Sequence, residues 1–197
     1  EIGVRLVGSE MCIRDRYYTD DWSETTVKTN VAQNKAAGGT SYKSGDAVDN
    51  AERRINVAFK AFDGDAFTEK EDTTAKPDTS TSEMNSFWKG YHADSSLCVD
   101  LGETRTVSEV EIQWRYGGKG KDFNILVSDD GENWTTAKEV RGNGDFFNTV
   151  SLDEPTEARY VKMQGIASNA SAGIYMIQEL SLIHISEHTR RTPISYA

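Results

Sequence analysis

The sequence predicts an all-β fold, an antiparallel β-sandwich. Apolar and polar residues alternate through residues 109–115 and again through residues 123–127, which is the period of a strand with one buried face. Asp129, Asp130 and Gly131 follow the second run and suit a tight hairpin, because Asp and Gly tolerate positive φ angles. Short strands are expected about every 10 to 15 residues without a strong helical pattern between them, which favours two packed antiparallel layers.

The N-terminal part of the chain has weaker patterns. Residues 17–29 are polar without a clear period and predict a linker, whereas residues 30–42, rich in small side chains, predict either a loop or a short first strand. Residues 51–60 carry alanines among charges, as in a short helix or helical turn. Residues 69–86 lack apolar periodicity altogether, so we expect a long surface insertion there.

The rest of the chain predicts further strands. Trp114 falls on the apolar side of the first alternating run, so we expect this ring to pack in the core. Outside the two alternating runs, short strands fit residues 97–101, 147–152, 159–165 and 174–179.

Length and composition predict one domain with a single core. The chain has 197 residues, of which 37% are hydrophobic. Its 32 acidic residues outnumber 22 basic ones, which gives a net charge of -10. Because like charges repel, this balance disfavours nucleic acid and acidic lipid surfaces as partners. The sequence shows no apolar run long enough to cross a bilayer, so we expect no membrane insertion.

The two ends of the chain read as translated adapter DNA. One back-translation of residues 7–16, VGSEMCIRDR, has a reverse complement that encodes LSLIHISE, the sequence of residues 180–187. Two antisense peptides are unexpected in an evolved protein, and both resemble read-through of a sequencing adapter. We therefore expect residues 1–16 and 180–197 to be adapter artefacts, and the remainder to be a metagenomic fragment of a longer gene.

Excluding the ends leaves a linker at 17–29 and one domain at 30–179. Within these residues Cys98 is the only cysteine and His92 the only histidine. No intrachain disulfide can form there, and no Ser–His or Cys–His nucleophile pair is indicated. No glycine-rich phosphate loop or HExxH sequence is present either. We therefore expect a domain that is not an enzyme.

One short stretch suits a metal ion. Residues 61–68, AFDGDAFT, place two carboxylates and a hydroxyl around Gly64, and hard oxygen ligands of this kind prefer calcium to a transition metal. The glycine allows the backbone to turn sharply, so that carbonyl groups also point inward. The same residue types are common in a plain solvated turn, and that alternative stays open on the residues alone.

The order of landmarks along the chain is similar to that of a known family. NVAQNKAAGGTSY, AFDGDAFT, FW, VDLG, VEIQWR, FNILVSDDGENW, ARYVKM and IQE follow one another between residues 30 and 179. The chain resembles the discoidin domain family, also called the coagulation factor V/VIII C-terminal (F5/8 type C) family. The resemblance implies an eight-stranded jelly-roll β-sandwich, like galactose-binding domains. The insertion between Thr68 and Trp88 departs from the family pattern, in which these two residues are close neighbours.

Among family members the chain looks most like bacterial carbohydrate-binding module family 32. This resemblance implies a structural calcium ion. Its ligands would be Asp63, Asp65, Thr68 and Glu179, with a nearby main-chain carbonyl such as that of Phe62. In the alternative, Asp63 caps an empty turn and Glu179 is a surface charge.

The resemblance also implies a sugar site in loops at one end of the sandwich. An aromatic ring would meet the apolar face of a pyranose, and fixed polar groups would bind its hydroxyls. Arg115 has the alternative of pairing with an acidic neighbour, and alternation assigns either Phe146 or Phe147 to the core. The candidates are His92, Arg115, Tyr116, Phe146, Phe147 and Asn169.

The sequence therefore predicts a non-catalytic carbohydrate-binding module of a larger secreted or cell-surface bacterial protein, such as a glycoside hydrolase. It would bind a terminal sugar of a glycan and hold the parent enzyme at its substrate. A cell- or protein-adhesion domain and a structural spacer are the alternatives. Phospholipid binding, known in coagulation relatives, is disfavoured by the negative charge.

Overall fold

The computed structural model describes residues 26–39, 58–67, 72–77, 86–171 and 173–187. The chain divides into two compact units. One unit, Lys28–Ile185, holds nearly all of the described residues. The other unit combines Glu1–Val27 with Ser186–Ala197, and only a few of its residues are described.

The fold is an antiparallel β-sandwich of eight strands. Its order of hydrogen-bonded neighbours is β1-β8-β4-β7-β5-β6, with β2 paired to β4 and β3 paired to β8. No long helix occurs among the described residues, only a short 3₁₀ helix at Ala58–Ala61. The strands are β1 (Thr26–Asn30), β2 (Ala36–Gly39), β3 (Trp88–Gly90), β4 (Ser96–Trp114), β5 (Gly120–Ser128), β6 (Thr135–Val140), β7 (Phe147–Ser168) and β8 (Tyr175–Glu187).

Two long strands, β4 and β7, run through both layers of the sandwich. The first half of β4 pairs with β2 and with the second half of β7, which in turn pairs with β5. The second half of β4 pairs with β8 and with the first half of β7. The β4–β7 register shifts between Asp100 and Arg105, which is where the pair passes from one layer to the other.

The core lies between the layers and is formed by alternate residues of the strands. Along β5, for example, Phe123, Ile125 and Val127 are buried, as the period-two pattern predicts. Trp114 is fully buried, which confirms its assignment to the core, and its ring meets that of Phe123 edge-on with centroids 5.4 Å apart. Burying each large apolar side chain stabilises the fold by about 1.5 to 3 kcal/mol.

Several elements are longer than the sequence indicates. The runs at 97–101 and 109–115 join in the single strand β4, because a bulged bend, rather than a loop, connects them. The strand expected at 174–179 extends through residues 180–187, since Leu180 and Leu182 are buried and pair with Ile112 and Val110 of β4.

The weakly patterned N-terminal part is partly described. β1 includes the last residues of the expected linker. β2 is the short strand that was one of the two alternatives for residues 30–42. The helical turn expected at 51–60 is present as the 3₁₀ helix from Ala58, while residues 51–57 lie outside the described residues. Of the insertion at 69–86, residues 72–77 and 86 are described. Among the described residues, no helix has the length and apolar character needed to span a membrane.

Candidate functional site

Loops from three strand connections meet at one end of the sandwich. Residues 115–119 connect β4 to β5, residues 141–146 precede β7, and residues 169–174 precede β8. Backbone hydrogen bonds join them: the Asn169 N–H donates to the Lys119 carbonyl at 2.8 Å and the Met176 N–H to that of Gly118 at 2.7 Å. The Trp114 N–H likewise donates to the Phe146 carbonyl at 2.8 Å. The fold therefore fixes all three loops to one another.

These loops enclose a pocket of about 460 Å³, here called the Tyr116 pocket. Tyr116 is 59% exposed, with the Lys76 ammonium 4.2 Å from its ring centroid, whereas Phe146 is only 7% exposed and forms the floor. The ammonium group of Lys119 lies 4.2 Å from the Phe146 ring centroid and donates to the Gly144 carbonyl. The pocket is lined by Tyr116, Gly117, Gly118, Lys119, Phe146, Asn169 and Ala170.

A second pocket of about 690 Å³, here called the His92 pocket, adjoins the first through Ala170. His92 and Asp94 form one wall, and the end of β7 forms the other. The loop that carries His92 is a tight turn, since the Ser95 N–H donates to the His92 carbonyl at 3.0 Å. Tyr175 holds this turn through its hydroxyl, which donates to the Ala93 carbonyl at 2.9 Å.

Two predicted ligand residues line neither pocket. Arg115 is buried: its guanidinium donates to Gln178 Oε1 at 2.7 Å and lies 4.3 Å from the centroid of the Phe87 ring. Burial lowers the pKa of Arg115, and the nearby Asp65 carboxylate opposes this shift. Phe146 is the core phenylalanine of the pair and also lines the Tyr116 pocket, whereas Phe147 is half-buried, so neither ring is an exposed platform. The structure thus brings together Tyr116, Phe146 and Asn169, with His92 next to them.

The predicted calcium loop lies next to the end of β4, since the Phe67 N–H donates to Gln113 Oε1 at 2.7 Å. Gly64 has a φ of 86°, and the Asp65 N–H donates to Asp63 Oδ1 at 3.0 Å, so Asp63 does cap the turn. The second oxygen of Asp63 accepts a hydrogen bond from the Ser86 hydroxyl. The Phe62 carbonyl accepts one from the Asn34 N–H at 2.7 Å, which leaves it a second lone pair. Thr68 lies outside the described residues.

Glu179 is not a surface charge: only 3% of this residue is exposed. Its Oε2 accepts a hydrogen bond from the Gly64 N–H at 3.2 Å, while Oε1 is buried and has no partner among the described residues. Burial raises the pKa of Glu179 to about 8; the carboxylates of Asp63 and Asp65 add to the shift and the Gly64 bond opposes it. A cation bound here would supply the positive counter-charge that the buried Glu179 carboxylate lacks.

The side chains of the loop do not form a complete metal shell. Within the described ranges, no group of three or more His, Cys, Asp or Glu side chains is close enough to hold a metal ion. The chemistry of the donors, all hard oxygens around a buried carboxylate, nevertheless suits calcium.

Sequence reasoning did not identify Lys119 or Gln178. Lys119 stands in a Gly-Gly-Lys-Gly loop after a strand, which is the one sequence signal that marks it as a loop-end residue. Gln178 is fully buried, and its amide donates to the Asp65 carbonyl while its carbonyl accepts from Arg115. The alternating pattern of a strand does not indicate which groups a buried amide side chain will bind.

The solved structures that resemble this chain share its fold. The chitosan-binding module 1 of a chitosanase/glucanase from Paenibacillus sp. IK-5 has 21% sequence identity and a TM-score of 0.56; the match covers 79% of this chain and 98% of that one. The family 32 carbohydrate-binding module of C. perfringens NanJ, in complex with galactose, has 22% identity and a TM-score of 0.57, with coverage of 80% and 100%. A Streptococcus pneumoniae fucose binding module has 17% identity and a TM-score of 0.55, with coverage of 79% and 94%.

Comparison with protein families gives the same result from sequence. Residues 45–180 match the family model of the F5/8 type C domain. No curated protein matches the chain. The matched residues include the Asp63 loop, both long strands and the three loops of the Tyr116 pocket. The chain therefore belongs to the F5/8 type C, or discoidin, domain family.

Proposed function

We propose that this domain is a non-catalytic carbohydrate-binding module and that a sugar binds in the Tyr116 pocket. The observation that carries the proposal is the exposed ring of Tyr116 beside the amide of Asn169 over a pocket of about 460 Å³. A pyranose offers C–H groups to an aromatic face and hydroxyls to fixed polar groups, and this pocket has both kinds of partner. The galactose-bound and chitosan-binding modules of the same fold are consistent with this function.

The adjoining His92 pocket suggests a second subsite. Because the two pockets share Ala170, a ligand longer than one sugar would extend from Tyr116 toward His92. The His92 ring and the Asp94 carboxylate would then bind hydroxyls of the second sugar. Binding of this kind is shallow and weak for a single site, and it gains its effect through effective concentration when the module is tethered.

We further propose that the module belongs to a secreted or cell-surface bacterial protein that acts on glycans. Weak recognition of a terminal sugar would hold the catalytic part near its substrate. In this proposal residues 30–179 are the native domain, residues 17–29 are a linker, and the assignment of residues 1–16 and 180–197 to adapter sequence stays a prediction.

We also propose a structural calcium ion at the Asp63 loop, held by Asp63, Asp65, Thr68, Glu179 and the Phe62 carbonyl. The support is the buried Oε1 atom of Glu179, which lacks a partner among the described residues. The ion would neutralise the carboxylates and cross-link the loop to β8; the family resemblance supplies the ligand set.

A glycan-array screen followed by calorimetry tests the sugar site. Tyr116→Ala should lower the affinity for the sugar identified by about tenfold, because the apolar platform is lost. Phe59→Ala is the matched control, since Phe59 is a similarly exposed ring, 55% against 59%, on the 3₁₀ helix and lines neither pocket. If a folded domain binds no glycan, the role shifts to protein adhesion or to a structural spacer. If both variants bind equally well, the sugar site lies outside the Tyr116 pocket.

A further inference from the structure

The described part of the insertion, residues 72–77, packs against the Tyr116 pocket. The Phe146 N–H donates to the Thr73 carbonyl at 2.7 Å, and the Thr73 hydroxyl donates to Asp145 Oδ1 at 3.1 Å. The segment is also folded on itself, since Asp72 Oδ1 accepts hydrogen bonds from both the N–H and the hydroxyl of Thr74. This part of the insertion therefore lies beside the 141–146 loop of the pocket.

The insertion brings a positive charge to the pocket. The ammonium group of Lys76 lies 4.2 Å from the centroid of the Tyr116 ring. The Lys119 ammonium, which belongs to the β4–β5 loop, lies 4.2 Å from the centroid of the Phe146 ring. Both rings line the Tyr116 pocket, so one cation, Lys119, lines the pocket and a second, Lys76, lies next to it over the Tyr116 ring.

The local charge contrasts with the rest of the chain. The net charge of the chain is -10, yet none of the residues that line the Tyr116 pocket carries a carboxylate. The adjacent carboxylate of Asp145 accepts a hydrogen bond from Thr73. A lysine over an aromatic face keeps its position by cation–π attraction and can still donate to an anion at the ring edge. Recognition of a neutral sugar requires neither of these charges.

We propose that the ligand of the Tyr116 pocket is an acidic sugar, one bearing a carboxylate or a sulfate group, and that Lys76 and Lys119 select it. This inference rests on the carbohydrate site proposed above and adds the class of sugar. Lys76 comes from a segment that departs from the family pattern, so the selectivity would be particular to this chain. Lys119, held by the Gly144 carbonyl, would bind the anion beside the Phe146 floor.

The experiment compares sugars that differ only at carbon 6. The full chain is titrated with the methyl glycosides of galactose, galacturonic acid and galactose 6-sulfate, and with the corresponding glucose and mannose series, and chemical shifts of the backbone amides are followed. We expect an acidic member to bind about fivefold to twenty-fivefold more tightly than its neutral partner at low salt. This preference should shrink at about 0.5 M salt, which screens exposed charges. The carboxylate and sulfate arms show which anion is preferred.

Charge-removing variants identify the selecting residues. Lys76→Gln and Lys119→Gln should each lower the affinity for the acidic sugar about fivefold more than the affinity for its neutral partner. Lys119→Arg keeps the charge and should keep the preference, which separates charge from packing. Lys138→Gln is the control, because Lys138 lies on β6 and pairs with Asp153.

Equal affinities for the acidic and neutral members of every series would overturn this inference and leave the carbohydrate site standing. Loss of neutral-sugar and acidic-sugar binding to the same extent in the Lys→Gln variants would also overturn it, because it would show a packing role. Binding of no sugar by the folded domain would overturn both this inference and the proposed function.

Discussion

Gly64 donates a backbone hydrogen bond of 3.2 Å to Glu179 Oε2, across 115 residues of sequence. The contact joins the Asp63 loop to β8, next to the point where Gln178 of the same strand binds the Asp65 carbonyl. The Asp63 loop is thus attached to β8, the strand that follows the 169–174 loop of the Tyr116 pocket. A change that destabilises the Asp63 loop should therefore also alter the conformation of the loops that form the Tyr116 pocket.

Removal of calcium should destabilise the domain. Chelation should lower the melting temperature by several degrees, since the buried Glu179 carboxylate would lose its counter-charge. In Glu179→Gln the melting temperature should no longer respond to calcium. Differential scanning calorimetry with calcium and with chelator measures both effects, and Asp153→Asn, a change at an exposed acid, is the control. A wild-type melting temperature that is the same with calcium and with chelator would contradict the proposed metal site.

Without calcium, stability should fall as the pH rises. The pKa of Glu179 is about 8 in the folded chain against an ordinary 4.5. Between these values the unfolded chain has lost the proton that the folded chain retains, so raising the pH favours unfolding. The free energy of unfolding should decrease by an amount on the order of 3 kcal/mol over this window. The difference between wild type and Glu179→Gln, measured by denaturant unfolding at several pH values in chelator, isolates this group.

The critical result is whether Glu179→Gln is more or less stable than the wild type. In chelator at pH above 8, Glu179→Gln should be at least as stable as the wild type, because it removes a buried charge. With calcium present the order should reverse. A variant that is less stable than the wild type under both conditions would show that the buried carboxyl group stabilises the fold without calcium.

Arg115 should contribute to stability and not to sugar contact. Arg115→Met removes the hydrogen bond to Gln178 and leaves a buried amide oxygen unsatisfied, at a cost of about 1 to 3 kcal/mol. Sugar affinity of the folded fraction should stay within about twofold of the wild type. Denaturant unfolding and calorimetric titration measure the two quantities. Unchanged stability with lost binding would return Arg115 to the ligand set.

Tyr175 should control the shape of the His92 pocket. Tyr175→Phe removes the hydrogen bond to the Ala93 carbonyl and should cost about 1 kcal/mol. Gly165→Ala should cost about 1 to 3 kcal/mol, because a Cβ there would lie 2.5 Å from the Tyr175 ring. Gly144→Ala, where a Cβ meets nothing within 4 Å, is the control. Amide chemical shifts near His92 should move in the first two variants only.

Much of the fold was predictable because its strands have one buried face. The alternation around Trp114 and Phe123 is a local pattern, and it identified both the strands and the core side of each. The union of two predicted strands in β4 was not predictable, since it depends on pairing with β7 about 50 residues away. Residues 180–187 alternate like any strand, so their pairing with β4 reflects the pattern LSLIHI whatever its origin.

The site was predictable only in part, because it is assembled from separate connections. Loop positions suggested Tyr116 and Asn169, which the structure does bring together. Period-two counting alone could not separate Phe146 from Phe147, because β7 begins at Phe147 and Phe146 lies in the connection before it, where strand alternation does not apply. Arg115 followed a strand and was expected at a loop end, but Gln178 and Phe87 enclose it. Lys76 lies in a segment without apolar periodicity, so its place in the fold could not be predicted from sequence.

The passage of β4 and β7 through both layers makes the two layers mechanically inseparable. Separating one layer would require breaking the same two strands that form the centre of the other. The domain should therefore open as one cooperative unit, without a partly opened form that exposes one sheet. A domain that opens as one unit should show a single unfolding transition with the same midpoint by every probe.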